Sequence, residues 1–333
     1  TMVSDAPKHY PVLLNEIISI ITPQHGGTFI DCTFGQGGYT KEILNYKNTK
    51  VIAIDRDIES KKKADLIKEK FPDRFYFKNL KFSKLNHLKL KNENIKGIVF
   101  DLGYSFIQIK DPNKGLSFNS SGKLNMMMGF NEFSANEAVN NLENQDIEKI
   151  LRYFGEEKDA KIISKNIVKF RATKKINTQD LVKIIEKSKR KRNYKVHCAT
   201  KTFQALRIFV NKEITELING VINATKRLKP GGKIIVVSFH SLEDKIIKFF
   251  FTNFSVNRSR SSRYIPEQNI TQKALFEEYK NRVLRPSKEE LKRNNRSRSA
   301  KLRFATRSKN KFTPPEELKK KFKKYLDLES INA

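Results

Sequence analysis

Three carboxylates stand at the ends of short apolar runs: Asp31 after Phe29-Ile30, Asp55 after Val51-Ile52-Ala53-Ile54, and Asp101 after Ile98-Val99-Phe100. Apolar runs of this length that stop on turn residues read as buried strands of a parallel sheet. Ligands of an open α/β sheet sit beyond the carboxyl ends of its strands. Charge is rarely buried without a partner. Three acids at such ends therefore point to a ligand with hydroxyl groups and positive charge. The first acid leads into Cys32-Thr33-Phe34-Gly35-Gln36-Gly37-Gly38, and residues 39–46 then suit a helix. Glycines in such a turn let backbone approach a ligand closely, and the first helical N–H groups are free to donate. Gly-Gly turns also simply end strands. Asp55 strengthens the case, because it follows about 20 residues later, where an acid that takes ribose hydroxyls is expected.

A strand, glycine turn, helix and downstream acid suit nicotinamide dehydrogenases and S-adenosyl-L-methionine-dependent methyltransferases alike. The spacing Gly35-x-Gly37-Gly38 is not the dinucleotide Gly-x-Gly-x-x-Gly. This shorter loop has no pyrophosphate to cradle. The two acids besides the ribose-binding one suit a sulfonium and an α-amino group, so the methyl donor is favoured. A further buried strand, residues 233–239, exits into His240-Ser241-Leu242-Glu243-Asp244 on the same ligand-facing edge. His240 is there either as a catalytic group or as a hydrogen-bonded structural histidine.

The elements that must position these groups follow from periodicity. A short apolar-periodic helix before Pro23 precedes the first strand. Residues 58–70 read as a helix, 74–80 as an alternating strand and 82–88 as a short helix. From residue 110 to about 211 no convincing strand occurs, and the segment reads as an insertion. It opens with a glycine-dotted loop and continues with helices over 146–154, 159–171 and 178–187, the last capped at Asn177-Thr178. Residues 200–228 read as one long amphipathic helix ended by Pro230-Gly231-Gly232. Residues 258–296 are polar, basic and aperiodic, as in a mobile loop. Residues 298–306 alternate like an edge strand, and a Lys-rich helix follows Pro314.

Of 333 residues, 67 are Lys or Arg and 36 are Asp or Glu, a net charge of +31. A surplus of that size suits a polyanion, nucleic acid above all. A general Lys-rich bias explains part of it but not the Arg clusters near the C-terminus. Cys32 and Cys198 are the only cysteines. Without metal-like spacing they read as small buried hydrophobes in a reducing compartment. No apolar run is long enough to span a bilayer, and the first residues lack the apolar core of a signal peptide, so a cytoplasmic protein is expected.

Further motifs occur in a definite order. They are His9-Tyr10-Pro11-Val12-Leu13-Leu14, the glycine turn, Asp55-Arg56-Asp57, Asp101-Leu102-Gly103-Tyr104-Ser105, Gly155-Glu156-Glu157, His197-Cys198-Ala199-Thr200, Phe203-Gln204-Ala205-Leu206-Arg207-Ile208, the run from Ser238 to Lys245, and Arg296-Ser297-Arg298-Ser299-Ala300-Lys301-Leu302-Arg303. In this series, from His9 to Arg303, the chain resembles the MraW family, the ribosomal RNA small subunit methyltransferases H. The resemblance implies an α/β class I (Rossmann-like) methyltransferase core, residues 1–109 and 211–306, with an inserted α-helical substrate-recognition domain over 110–210 and a basic C-terminal tail over 307–333. It implies S-adenosyl-L-methionine as cofactor, held by Gly37, Gly38, Tyr39, Asp55, Phe82, Asp101 and Gln108. It implies N4-methylation of a cytosine in the decoding region of small-subunit (16S) ribosomal RNA, within an assembled or nearly assembled 30S subunit. A homodimer is one oligomeric option.

The chain also departs from that family. Tyr39 stands where His is usual, Tyr104 and Phe106 replace smaller residues, and Lys110 replaces an acid. Asn125-Met126-Met127-Met128 replaces Asp-Met-Arg-Met, and His197-Cys198 replaces His-Pro. If the missing acid and Arg pair with one another, losing both is less harmful than losing one. These departures leave a second reading, a catalytically weak or inactive RNA-binding or ribosome-assembly factor on the same fold. Cytosine N4 is a poor nucleophile because its lone pair is delocalised. Catalysis then means in-line placement plus an acceptor for an amine proton. Asp101, or a carbonyl near it, is the candidate acceptor, assisted by His240 or Glu243. Tyr104 and Phe106 either stack on the base or pack beneath the insertion. Arg207, residues 189–192 and residues 258–263 are candidate phosphate contacts.

Overall fold

A computed structural model describes residues 10–90, 94–104, 114–117, 122–190, 196–257 and 274–333. Six strands form one sheet: β1 (Gly27–Asp31), β2 (Thr49–Asp55), β3 (Phe75–Asn79), β4 (Ile95–Asp101), β5 (Leu228–Ser238) and β6 (Lys301–Thr306). Their spatial order is β3-β2-β1-β4-β5-β6. The first five run parallel, and β6 lies antiparallel along β5 as an edge. The order reverses between β1 and β4, which makes a switch point of the kind where Rossmann-like α/β sheets bind ligands. Strands β1, β2 and β4 end on Asp31, Asp55 and Asp101, as their sequence pattern predicts.

The inner strands β1, β2, β4 and β5 are apolar at their centres because helices cover both faces. Val51, Ile52, Ala53 and Ile54 are all buried. One layer of the core joins Phe29, Val51 and Val99 of the sheet to Ile17, Ile43 and Ile67 of the helices Leu14–Ile21, Gly38–Leu44 and Ser60–Lys70. The turn Pro230-Gly231-Gly232 does not precede β5 but lies inside it. Leu228 already pairs with Ile95, and the register then shifts before Gly97 pairs with Lys233. Gly231, at φ 83°, supplies the bend, and its N–H donates to the Arg307 carbonyl at 2.9 Å.

The chain forms two compact units, 1–103 with 217–321, and 104–216 with 322–333. The first carries the sheet. Among its described residues the second is helical: Ala135–Asn141, Asn144–Gly155, Ala160–Arg171, Thr178–Ser188, Thr200–Asn211 and Lys323–Glu329. Capping boxes start two of these helices, Ser134 with Glu137 and Asn177 with Asp180.

Two further expectations are corrected. The long helix expected over 200–228 is two helices, Thr200–Asn211 and Glu213–Arg227, because Lys212 takes a left-handed conformation at φ 49°. Asn211 is occupied in holding the preceding loop, donating to the Met126 carbonyl and accepting from the Met128 N–H. The segment 258–296 is not a mobile loop as a whole. Residues 258–273 lie outside the described residues, but Ala274, Leu275 and Phe276 are buried, with Phe276 edge-on to Phe250 and Phe251. The basic C-terminal segment, residues 307–333, is anchored at both ends. Arg307 is buried and donates to the carbonyls of Thr225, Leu275 and Ser308. At the far end, the buried Glu329 accepts the N–H groups of Ile214 and Thr215 and the Thr215 hydroxyl.

Candidate active site

The glycine turn is shaped by contacts only glycine allows. Gly37 caps the helix Gly38–Leu44 at φ 76°, and its N–H donates to the Phe34 carbonyl at 2.7 Å. A Cβ there would lie 2.7 Å from Ile67 Cδ1 and 2.9 Å from Phe34 Cζ. A Cβ on Gly38 would run into the Pro11 ring. The backbone of this turn is thus pressed between helix and N-terminal segment, leaving its first helical N–H groups at the strand ends.

Asp31 is fully buried beneath that turn. It accepts the Thr33 N–H at 3.2 Å and the Thr40 hydroxyl at 2.8 Å. Burial pushes its carboxyl up to about 7, against the lowering effect of those two hydrogen bonds, and repulsion from Asp55 and Asp101 adds to the rise. Asp55 accepts the N–H of Gly35 at 2.7 Å and of Asp57 at 2.8 Å, so the second acid also ties down the glycine turn. Its carboxyl is likewise raised, mainly by burial. Asp101 accepts the Gly103 N–H at 3.0 Å, and its own N–H donates to Thr33 Oγ1 at 2.7 Å. Burial pushes its carboxyl up to about 6, with Glu243 and Glu290 contributing.

Tyr39 is buried on the first turn of its helix. Its hydroxyl lies 2.6 Å from the Val12 carbonyl and 3.0 Å from Asp101 Oδ2. A phenol carries one proton, so the carbonyl and the carboxylate share it. Phe82 opens the 3-10 turn Phe82–His87 beyond β3. Its half-buried ring stands edge-on to Phe100 at 5.3 Å and against Gly220, where a Cβ would collide with it. The structure thus brings Gly37, Gly38, Tyr39, Asp55 and Asp101 to one edge of the sheet, with Phe82 beside β3 at the same end. Gln108, Phe106 and Lys110 lie outside the described residues.

His240 is the N-cap of the helix Ser241–Asn253. Its Nδ1 accepts the Glu243 N–H at 3.4 Å, and the Glu243 carboxylate in turn accepts the N–H groups of His240 and Phe239. Asp244 makes a two-point ion pair with the buried Arg303, at 2.7 and 3.2 Å. Two candidate RNA contacts have other partners. Arg207 pairs with Glu213 and lies over the Tyr104 ring at 4.4 Å, and Lys189 is buried against Glu157 at 2.7 Å. Residues 191–192 and 258–263 lie outside the described residues.

The donor set excludes one ligand class and suits another. Crowded carboxylates, when ionised, repel a pyrophosphate. They suit a ligand whose positive charge can replace the protons and whose hydroxyls can donate to what remains. A sulfonium amino acid joined to a ribose meets both demands.

The sequence pattern misses three contributors. Thr33 and Thr40 flank the glycine turn as short hydroxyl residues, a signal that a buried acid nearby has local partners. Glu290 has no such signal. It accepts the Leu13 N–H at 2.8 Å from 277 positions away, which anchors the N-terminal segment, and its charge adds to the upward push on the Asp101 carboxyl and the Tyr39 phenol.

The model of the MraW methylase family matches residues 6–308. Proteins named ribosomal RNA small subunit methyltransferase H from Ehrlichia canis and Rickettsia akari are each 42% identical to this chain, over 300 and 299 residues. Both alignments cover 89% of this chain, with 98% and 97% of those proteins. The same-named protein of Parvibaculum lavamentivorans is 37% identical over 309 residues, 92% of this chain and 91% of its own. Likeness to solved structures is remote; an rRNA methylase from Streptococcus thermophilus gives a TM-score of 0.39 at 10% identity, over 92% of this chain and 100% of that one, and nothing here rests on it. With its parallel sheet, its glycine turn and a family match across nine-tenths of its length, the chain belongs to the MraW methylase family.

Proposed function

We propose that this chain transfers a methyl group from S-adenosyl-L-methionine to N4 of a cytosine in the decoding region of small-subunit ribosomal RNA. One observation carries the reading: Asp31, Asp55 and Asp101 end neighbouring parallel strands around a glycine turn, in a chain of a methylase family. The name of the relatives supports ribosomal RNA as substrate, and the +31 charge suits a polyanion. The substrate is the small subunit, assembled or nearly so, and the setting is the cytoplasm. No described helix is long and apolar enough to cross a membrane.

The bound donor supplies a methyl already activated on a sulfonium. Asp55 takes the ribose hydroxyls, and the backbone of Gly37 and Gly38 lets the ligand approach. Phe82 faces the adenine. Asp101, steadied by Tyr39 and joined by Gln108, orients the methionine end. Because the cytosine amine becomes positive as it attacks, it needs a hydrogen-bond acceptor held in advance. Asp101 or a neighbouring carbonyl fills that role, with His240 and Glu243 assisting from the β5 exit. The helical unit recognises RNA.

Labelled donor incubated with small ribosomal subunits tests this, with the modified base mapped afterwards. Label on a cytosine N4 of the decoding region is the expected result. Asp101→Asn at saturating donor is expected to lower turnover by about a hundredfold or more. Unchanged turnover removes Asp101 from the chemistry, and donor binding without transfer marks an inactive scaffold.

A further inference from the structure

Outside the sheet edge, one cluster in the helical unit has the chemistry of a metal site. Glu186, in the last turn of the helix Thr178–Ser188, stands with His197 and Cys198, just before the helix Thr200–Asn211. One ligand atom from each, a carboxylate oxygen, an imidazole nitrogen and a thiol sulfur, all lie within 4.8 Å of one another. Sequence separates Glu186 from the other two by a basic run, so spacing alone conceals the group. We propose that these three side chains bind a zinc ion, with water in the fourth position.

The donor set argues for that metal. Mixed oxygen, nitrogen and sulfur donors suit a borderline-soft ion, and hard cations such as magnesium or calcium are poorly served by thiol and imidazole. Three protein ligands with an open fourth position make a four-coordinate site. The partial exposure of all three groups gives the ion and its water a way in. Lys189 lies close enough to act on the Cys198 thiol, but its ammonium is already paired with Glu157 at 2.7 Å, so it does not leave a bare positive charge against the metal. His197 Nδ1 accepts the Ala199 N–H at 3.1 Å, which orients the ring. Coordination through that nitrogen exchanges one hydrogen bond for a metal bond. On binding, the Cys198 S–H proton passes to solvent and the thiolate becomes the ligand. The ion then ties the end of one helix to the start of the next. This site is independent of methyl transfer.

Cobalt(II) reports on such a site through sulfur-to-metal charge-transfer absorption, which zinc should quench by displacement. The full chain, stripped with chelator and dialysed, is titrated with Co²⁺ and then Zn²⁺. One equivalent of cobalt is expected to raise the charge-transfer band, and zinc to abolish it. Cys198→Ser should lose the band, whereas Cys32→Ser, at a buried position in the other unit, should keep it. Loss of an outer-shell partner already weakens metal sites by about 10–100-fold, so Glu186→Gln should weaken cobalt binding by at least about tenfold. Circular dichroism confirms that each variant is folded. No band at excess cobalt, a band that survives in Cys198→Ser, or unchanged affinity in Glu186→Gln overturns the proposal.

Discussion

Tyr39 is where a single atom links the N-terminal segment to the strand ends. Its hydroxyl meets the carbonyl of the buried Val12 and the carboxylate of the partly buried Asp101. Tyr39→Phe keeps the ring and removes the shared proton. Leaving the Val12 carbonyl bare is expected to cost about 1–2 kcal/mol of stability, read as a lower urea midpoint with an unchanged slope. Donor affinity should fall with it, because Asp101 loses the group that orients it. A variant with wild-type stability and donor affinity would make the hydroxyl a bystander. From sequence alone the ring is only an aromatic after two glycines. Its partner Val12 lies 27 positions away, and no local pattern pairs them.

Helix caps decide how the β5 exit should be read. His240, placed by its sequence at a ligand-facing strand end, spends its Nδ1 on the cap of the helix Ser241–Asn253. Asn caps a helix about as well as any residue, and Ala does not. His240→Ala is expected to cost about 1 kcal/mol, and His240→Asn to recover most of it. Methyl transfer then separates two roles. Activity restored by Asn makes His240 a positioning residue, whereas restored stability with lost turnover makes it catalytic. The strands themselves were legible because continuous apolar runs have few other uses in a sheet buried on both faces. The break at Lys212 was not, since a left-handed residue without glycine is set by what Asn211 must reach, not by propensity.

Across the whole molecule, buried acids work against a very basic chain. Asp31 is pushed up to about 7, Asp101 to about 6 and Glu329 to about 8, each chiefly by burial, from ordinary values near 4. The fold therefore binds these protons more tightly than the unfolded chain does. Their stabilising contribution is complete below about pH 4 and is lost as pH rises through about 6 to 8. Without donor, the unfolding free energy from urea titrations should drop between about pH 5.5 and about pH 8, by an amount on the order of a few kcal/mol. Asp31→Asn, a neutral near-isostere, should flatten that slope, and an equally steep slope in the variant would remove Asp31 as its source. A cationic donor replaces the protons, so its affinity should rise over the same interval.

Apolar runs ending on acids, with a glycine turn after the first, already specified parallel strands, a ligand edge and the charge a ligand must bring. Those features are local, and burial on both sheet faces leaves the residues little choice. Which groups share a proton, which carboxylate anchors Leu13, and which His, Cys and Glu meet are facts of chain crossing. Distance in space between residues far apart in sequence depends on the packing of the intervening elements, and no short pattern encodes it.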